Sequence, residues 1–162
     1  VLFRSGDMEQ ALATERDQRS LLLEEAGDES ILGLDVAISR SLGQGPPHLE
    51  AGLSLKWSLR TDRAQDCRSQ GAKLAALRRG RMPHFAAVTM EPRPYMLNLL
   101  CGGSGEIDCV YHLDLPALSL AIESTCAGNQ ARRKAADTFR RLVGQRRLRD
   151  YDELVAFVEG LA

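Results

Sequence analysis

The stretch SLKWSLRTDRAQ, residues Ser54–Gln65, decides how the chain is interpreted. With a two-residue period its apolar and polar residues fall on opposite sides, which is typical of a half-buried β-strand. The apolar set is Leu53, Leu55, Trp57 and Leu59, and the polar set is Ser54, Lys56, Ser58 and Arg60. We therefore predict a strand over 49–60 with Trp57 in the core, followed by a helix that Thr61 or Asp62 caps and that runs to Leu77.

Strand-like and helix-like segments alternate along the rest of the chain. Predicted strands cover 31–39, 49–60, 84–90 and 109–113, and predicted helices cover 8–26, 61–77, 93–101, 115–124, 131–143 and 152–161. Short connectors rich in glycine and proline separate them. This order predicts an α/β fold in which helices flank a mixed central β-sheet that starts with a hairpin-like pair.

Length and composition indicate a single globular domain. The chain has 162 residues, of which 44% are hydrophobic and 27% charged, and no apolar run reaches the length of a membrane span. Four cysteines without a CxxC pair indicate reduced thiols and a cytoplasmic protein. We interpret residues 1–7 as a non-native scar and expect a single domain over 1–162.

Charge is unevenly distributed although the net charge is −1. Residues 1–35 carry nine acidic residues, whereas 56–82 and 132–149 carry eight basic residues each. Clustered positive charge favours a polyanionic partner, because each neutralised phosphate releases counterions. The alternative is a pair of solvated basic helix faces, and charge alone favours that alternative.

Asp35 and Lys56 are the polar residues whose positions demand a partner. Each lies in a predicted strand among aliphatic residues, where an ionised group has to be paired, bound to metal or exposed at a site. If the two strands are neighbours, a carboxylate and an ammonium converge beside basic helices. That layout is typical of a metal-dependent phosphodiesterase. A purely structural ion pair is the alternative, and the spacing alone does not exclude it.

Three segments together, SLKWSLRTDRAQ, PHFAAVTMEPRP and GSGEIDCVYHLDL, resemble type II restriction endonucleases of the NgoMIV type. That family lies in the PD-(D/E)XK nuclease superfamily, and its members cut palindromic DNA containing a CCGG core. The resemblance runs in the same order from the Asp35 strand to the chain end. It implies a restriction-endonuclease-like three-layer core. It also implies that the N-terminal part of the family domain is missing, and with it another acidic residue for which Glu24 and Glu25 are candidates.

Catalytic and base-reading roles follow from the resemblance residue by residue. Asp35 takes the place of the metal-binding aspartate, although Leu34 replaces the usual proline. Ser54 and Lys56 match the SxK motif, which makes the backbone carbonyl of Leu55 a metal ligand. The implied cofactor is Mg²⁺.

The implied base-reading element is R-(D/E)R, matched by Arg60, Asp62 and Arg63. Arginine can donate two hydrogen bonds to guanine, and aspartate can accept one from cytosine, so RTDR can read G·C pairs. Helix capping by Asp62 with two solvated arginines is the alternative.

One departure from the family pattern concerns the second acidic ligand. The family places it on the following helix, where this chain has Gln70 instead of glutamate. Asp66, one helical turn earlier, is a substitute, and Glu50 on the Lys56 strand is another possible carboxylate. An amide is a weaker metal ligand than a carboxylate, so the chain is either an active endonuclease or an impaired, DNA-binding relative or fragment.

The implied partners are double-stranded DNA, a second copy of the chain and a cognate DNA methyltransferase. A palindromic site implies a homodimer or homotetramer, because two-fold symmetric DNA matches a two-fold protein assembly. No membrane partner is expected. Outside nucleic acids, an α/β enzyme with a structural Asp–Lys pair is the remaining alternative.

Overall fold

The computed structural model describes residues 32–41, 43, 47–78, 80–103 and 105–161. Residues 34–162 form one compact unit. The predicted N-terminal helix, the 1–7 segment, Glu24 and Glu25 lie outside the described residues. No helix in the described ranges has the length and apolar character needed to cross a bilayer.

In the described part of the chain, five strands form one mixed sheet in the order β1-β2-β3-β4-β5. They are β1 (Val36–Arg40), β2 (His48–Lys56), β3 (His84–Thr89), β4 (Cys109–His112) and β5 (Leu148–Asp150). β1 pairs antiparallel with β2, and the other neighbours pair parallel. The predicted α/β class, mixed sheet and opening hairpin are therefore confirmed.

The described residues form five α-helices, which were all predicted, the first at its observed bounds and the others with ends that differ by one or two residues. They are α1 (Thr61–Leu77), α2 (Pro94–Cys101), α3 (Leu115–Cys126), α4 (Arg133–Gly144) and α5 (Tyr151–Glu159), with a 3₁₀ turn over Gln130–Arg132. The N-cap position of α1 is Arg60, and no side chain caps it, so the predicted capping by Thr61 or Asp62 is wrong.

Helices cover both faces of the sheet. On one face, α5 contributes Leu154 to a core cluster that includes Leu53, Val88 and Tyr111. Phe85 alternates with that set along β3 and therefore faces the other side, where it approaches Gly71 of α1. α2 packs against both α1 and α4. The four cysteines are free thiols, as predicted.

The strand predicted over 49–60 ends earlier than its sequence pattern does. β2 stops at Lys56, and the chain bends at Trp57 and Ser58 before α1 begins. Trp57 is 74% exposed instead of buried, whereas Leu59 is fully buried beyond the strand. The alternating pattern thus predicted the strand correctly but extended it too far, because its last apolar residues, Trp57 and Leu59, lie beyond the end of β2.

Candidate active site

Asp35 lies immediately before β1, at a bend, and not inside a strand as predicted. The register pairs Val36 with Leu53, so Asp35 faces the end of β2. Its Oδ2 accepts hydrogen bonds from the backbone N–H of Leu55, at 2.7 Å, and from Ser54 Oγ, at 3.4 Å. Two neighbouring residues of β2 thereby fix the direction of the carboxylate, whose side chain is 41% exposed.

Lys56 ends β2 and holds its ammonium between two carboxylates. Nζ lies 3.6 Å from Asp35 Oδ2 and 3.9 Å from Asp66 Oδ2. The lysine side chain is only 15% exposed, whereas the Asp66 side chain is 59% exposed. The three charged groups come from the residue before β1, from the end of β2 and from α1, so the sheet pairing and the first turns of α1 together assemble the cluster.

Gln70 extends this cluster along α1. Its Nε2 donates to Asp66 Oδ2 across 3.4 Å, which is the i, i+4 contact expected on one helix face. Its Oε1 is buried and has no hydrogen-bond partner in the described part of the chain. A buried amide oxygen without a donor costs free energy, so this atom is available to a ligand.

The first turn of α1 presents the predicted base-reading residues. Arg60 Nη2 lies 3.4 Å from Asp62 Oδ2, and both side chains are about two-thirds exposed, at 70% and 67%. Arg63 Nη1 donates to the carbonyl of Ser58 across 3.3 Å. The three side chains therefore sit together at one helix start, with their charged ends accessible to solvent.

An open groove joins the charged cluster to the helix start. Its volume is about 470 Å³, and its lining residues are Leu55, Lys56, Trp57, Asp62, Arg63 and Asp66. Trp57, which the strand pattern placed in the core, is exposed and lines this groove. The groove brings a carboxylate, an ammonium and a guanidinium into one concave surface.

Not every predicted acidic residue reaches this groove. Glu50 pairs with Arg40 at 3.6 Å and with His48 at 3.9 Å, toward the opposite end of β2. Its side chain is 14% exposed, so it is a shielded ion-pair partner and not a ligand of the Asp35 cluster.

Sequence reasoning missed Glu91, the one fully buried acidic residue among those described. Its Oε2 accepts from the backbone N–H of Leu59 at 2.7 Å, and both carboxylate oxygens bind Arg93. Glu91 lies in the MEPRP segment that carried part of the resemblance, but a lone glutamate before a proline has no periodic signal. Only the fold shows that it reaches the chain segment before α1.

All the site residues described above, from Asp35 to Arg93, lie within the part of the chain that matches one protein family. A family model described as NgoMIV restriction enzyme matches residues 19–157. The chain belongs to the NgoMIV restriction enzyme family. Type II restriction enzyme NgoMIV from Neisseria gonorrhoeae is 38% identical over 130 residues, which is 78% of this chain. The chain spans 44% of the length of that relative.

Membership in the NgoMIV family makes the donor atoms around Lys56 candidates for a metal ion. Asp35, Asp66 and the buried amide oxygen of Gln70 are all oxygen donors, which hard divalent cations prefer. In the described ranges no three His, Cys, Asp or Glu side chains gather into a metal-binding group. The donor set thus fits Mg²⁺ in chemistry, with two carboxylates instead of three.

Proposed function

We propose that this protein is a Mg²⁺-dependent, site-specific endonuclease that hydrolyses phosphodiester bonds of double-stranded DNA at a GC-rich palindrome with a CCGG core. One observation carries the proposal: Lys56 and Asp66 line one groove together with Asp62 and Arg63, and the Asp35 carboxylate lies 3.6 Å from the Lys56 ammonium. A groove with hydrolytic groups at one end and base-reading groups at the other suits sequence-specific cleavage.

The cation would be held by Asp35, Asp66, Gln70 and the backbone carbonyl of Leu55. When bound, Mg²⁺ supplies Lewis-acid polarisation of the phosphate and a bound water of lowered pKa. The hydrogen bonds from Ser54 Oγ and Leu55 N–H keep the Asp35 carboxylate oriented. Catalytic gain depends on such preorganisation, because donors and charges fixed in advance need no rearrangement during the reaction.

Lys56 supplies a positive charge at a fixed position beside these carboxylates. An ammonium there stabilises negative charge that develops on the phosphoryl oxygens or orients the attacking water. Its low exposure strengthens this effect, because a charge screened from bulk solvent interacts more strongly with its neighbours. We therefore assign the electrostatic role in catalysis to Lys56.

Base reading falls to Arg60, Asp62 and Arg63. Guanidinium groups match the O6 and N7 acceptors of guanine, and the carboxylate matches the N4 donor of cytosine. Their exposure at the start of α1 leaves them free to enter a major groove. A CCGG core consists of adjacent G·C pairs, so a short Arg-Asp-Arg element suffices to read half of it.

A palindromic target implies that two copies act together. Each copy reads one half-site and cuts one strand, which requires a two-fold homodimer or a homotetramer built from two such dimers. A restriction activity also implies a cognate DNA methyltransferase that protects the same sequence in the host. The second copy of the chain and the methyltransferase both follow from the proposed reaction.

Gln70 favours a second candidate function, a catalytically impaired relative that binds the same DNA. A neutral amide binds Mg²⁺ more weakly than a carboxylate, so the metal site here has one negative charge fewer than the family pattern. In that case Arg60, Asp62 and Arg63 would still select the sequence.

Incubation with a plasmid that carries CCGG-core sites separates the candidates. Wild type, Lys56→Ala and Gln70→Glu are compared in Mg²⁺ and in EDTA, and the products are mapped by sequencing. We expect wild type to cut at discrete sites in Mg²⁺ only. Lys56→Ala should lose on the order of 10²-fold or more in rate, because one fixed electrostatic group is removed.

The other outcomes each identify a different function. Selective DNA binding without cleavage, restored by Gln70→Glu, would establish the impaired binder. Absence of DNA affinity at low salt would leave Asp35 and Lys56 as a structural ion pair and refute both nucleic-acid functions, since phosphate contacts are strongest there.

A further inference from the structure

Glu91 is a buried carboxylate that joins the two loops at the carboxyl-terminal ends of β2 and β3. It is 0% exposed, follows β3 by two residues and lies 32 residues beyond Leu59 in the sequence. Its Oε2 accepts from the backbone N–H of Leu59 at 2.7 Å, and its Oε1 accepts from the backbone N–H of Arg93 at 3.0 Å. Thr89 Oγ1 in turn accepts from the backbone N–H of Glu91 at 3.1 Å.

Arg93 completes this link from the exposed side. Its Nη2 donates to Glu91 Oε2 at 2.9 Å and also to the carbonyl of Leu59 at 2.8 Å. Both backbone groups of Leu59 are thus satisfied by one Glu–Arg pair. Burial alone would raise the pKa of Glu91, but the hydrogen bonds from Arg93 and from the Leu59 N–H outweigh it and lower the pKa. The group is therefore a carboxylate that requires these donors.

The segment held in this way leads directly into the base-reading turn. Leu59 is fully buried, and the next residue, Arg60, is the N-cap of α1 without a side-chain cap of its own. A further hydrogen bond, from the N–H of Met90 to the carbonyl of Trp57 at 3.2 Å, fixes the same segment. With no cap at Arg60, the position of the first turn depends on the residue just before it.

We propose that Glu91 is a positioning residue for sequence recognition, which fixes Arg60, Asp62 and Arg63 in the major groove by accepting from the Leu59 N–H and by orienting Arg93 on the Leu59 carbonyl. The inference rests on the proposed function. Bidentate base contacts need donors placed within a fraction of an ångström, so a loosened N-terminus of α1 loses discrimination before it loses phosphate contacts.

The test compares wild type, Glu91→Gln and Arg93→Lys. Glutamine keeps the size of Glu91 but replaces one acceptor oxygen with an NH₂ donor. That NH₂ group would face the N–H donors of Leu59 or Arg93, so at least one of these hydrogen bonds is lost. Arg93→Lys retains the charge but lacks the planar fork that spans Glu91 and the Leu59 carbonyl, and it changes a residue whose side chain is 60% exposed. Glu153→Gln is the matched control, because it removes the Glu153–Arg146 pair of α5.

Two quantities are measured in Ca²⁺ or EDTA, where binding is separated from cleavage. One is the ratio of affinities for a CCGG-core duplex and a scrambled duplex, and the other is hydrogen exchange of the Leu59 amide. We expect Glu91→Gln or Arg93→Lys to lower the affinity ratio roughly tenfold or more, with scrambled-duplex affinity within about twofold of wild type. Exchange at Leu59 should become faster, and Glu153→Gln should change neither quantity.

Three results would overturn the proposal, and they are distinguishable. Equal losses for both duplexes would make Glu91 merely structural. An unchanged ratio with faster exchange at Leu59 would separate the loop contact from recognition, while the proposed function stands. Wild type without preference for the CCGG-core duplex would refute the proposed function and the positioning role together. Should Glu91→Gln not fold, Arg93→Lys decides on the same two measurements.

Discussion

The Lys56 ammonium lies 3.6 Å from the Asp35 carboxylate, although 21 positions separate the two residues in the sequence. Antiparallel pairing of β1 with β2 brings them together, and the Asp66 carboxylate of α1 lies on the other side of the ammonium at 3.9 Å. The ammonium offsets the negative charge of both carboxylates, because an opposite charge within about 4 Å favours the ionised form of an acid. It also means that any change in the number of acids here alters metal affinity.

Gln70→Glu is therefore expected to strengthen Mg²⁺ binding. The substitution adds a third carboxylate at a position whose amide already contacts Asp66, and affinity for hard cations rises with ligand charge. We expect the Mg²⁺ concentration for half-maximal cleavage to fall on the order of tenfold. In EDTA the same variant should unfold at a lower temperature than wild type, since like charges then repel.

Gln65→Glu is the control for that experiment, because it makes the same change on an exposed position of α1. It should leave the Mg²⁺ dependence of cleavage and of the unfolding temperature unaltered. If Gln70→Glu behaves like Gln65→Glu in both readouts, Gln70 is not part of a metal site.

Arg63→Ala should relax base choice more than it weakens binding overall. Its guanidinium lies at the groove beside Asp62, where a bidentate contact to guanine discriminates one base pair. We expect a cost of roughly 1–3 kcal/mol at one position of the CCGG core, measured by competition between duplexes with single substitutions. Lys73→Ala removes one charge from an exposed position of the same helix and should not alter that profile. A uniform loss on all duplexes would mean that Arg63 contacts only phosphate.

Local patterns in the sequence predicted most of the fold. Two-residue alternation located β2, and the segment from Thr61 to Leu77 was recognised as a helix at its observed bounds. β5 was missed, because three residues within a basic segment are too short for periodicity to register. Strands that follow one another in the sequence also lie next to one another in the sheet.

The site was only partly predictable, because some of its contacts join residues that lie far apart in the sequence. Asp35 and Lys56 stood out because charged residues among aliphatic ones require a partner. Trp57 and Leu59 share one alternation pattern, yet the first is exposed and the second is buried where Glu91 holds its backbone. That contact joins loops far apart in the sequence, and no local pattern indicates it. Long-range hydrogen bonds to single buried groups are thus the part of this site that needs coordinates.

A second ion pair, between His84 and Asp108, predicts how stability changes with pH. His84 Nδ1 lies 2.9 Å from Asp108 Oδ2, and Nε2 lies 3.1 Å from the Tyr111 hydroxyl. Burial alone would lower the pKa of His84, but the interactions with Asp108 and with Cys109 together outweigh it and raise the pKa to about 9. The charged histidine therefore stabilises the fold fully below its unfolded pKa of about 6.5, and this contribution is lost as pH rises through about 9.

We expect the free energy of unfolding in urea to fall between pH 6 and pH 9.5 by about 1 kcal/mol through this pair, since solvent screens the half-exposed Asp108. Asp108→Asn removes the acceptor charge and should flatten the decline. Asp137→Asn, which changes an exposed carboxylate paired with Arg140 on α4, should retain it. An equal decline in Asp108→Asn and wild type would show that other groups cause the pH dependence.

Gly71→Ala tests how closely α1 must approach the loop before β4. A Cβ at this position would overlap the backbone carbonyl oxygen of Glu106 and would lie 2.9 Å from Phe85 Cδ1, so the helix or the loop has to move. Overpacking of this kind costs roughly 1–3 kcal/mol, which exceeds the gain of about 1 kcal/mol from replacing glycine in a helix. Because Gln70 precedes Gly71 and Asp66 lies on the same helix, the shift should also lower the cleavage rate.

Gly144→Ala, where nothing lies within 4 Å of the added carbon, should maintain or raise the unfolding temperature and leave cleavage unaltered. The measurement is the unfolding temperature of both variants by calorimetry. If Gly71→Ala is as stable as Gly144→Ala, α1 does not need this close packing to position Asp66 and Gln70.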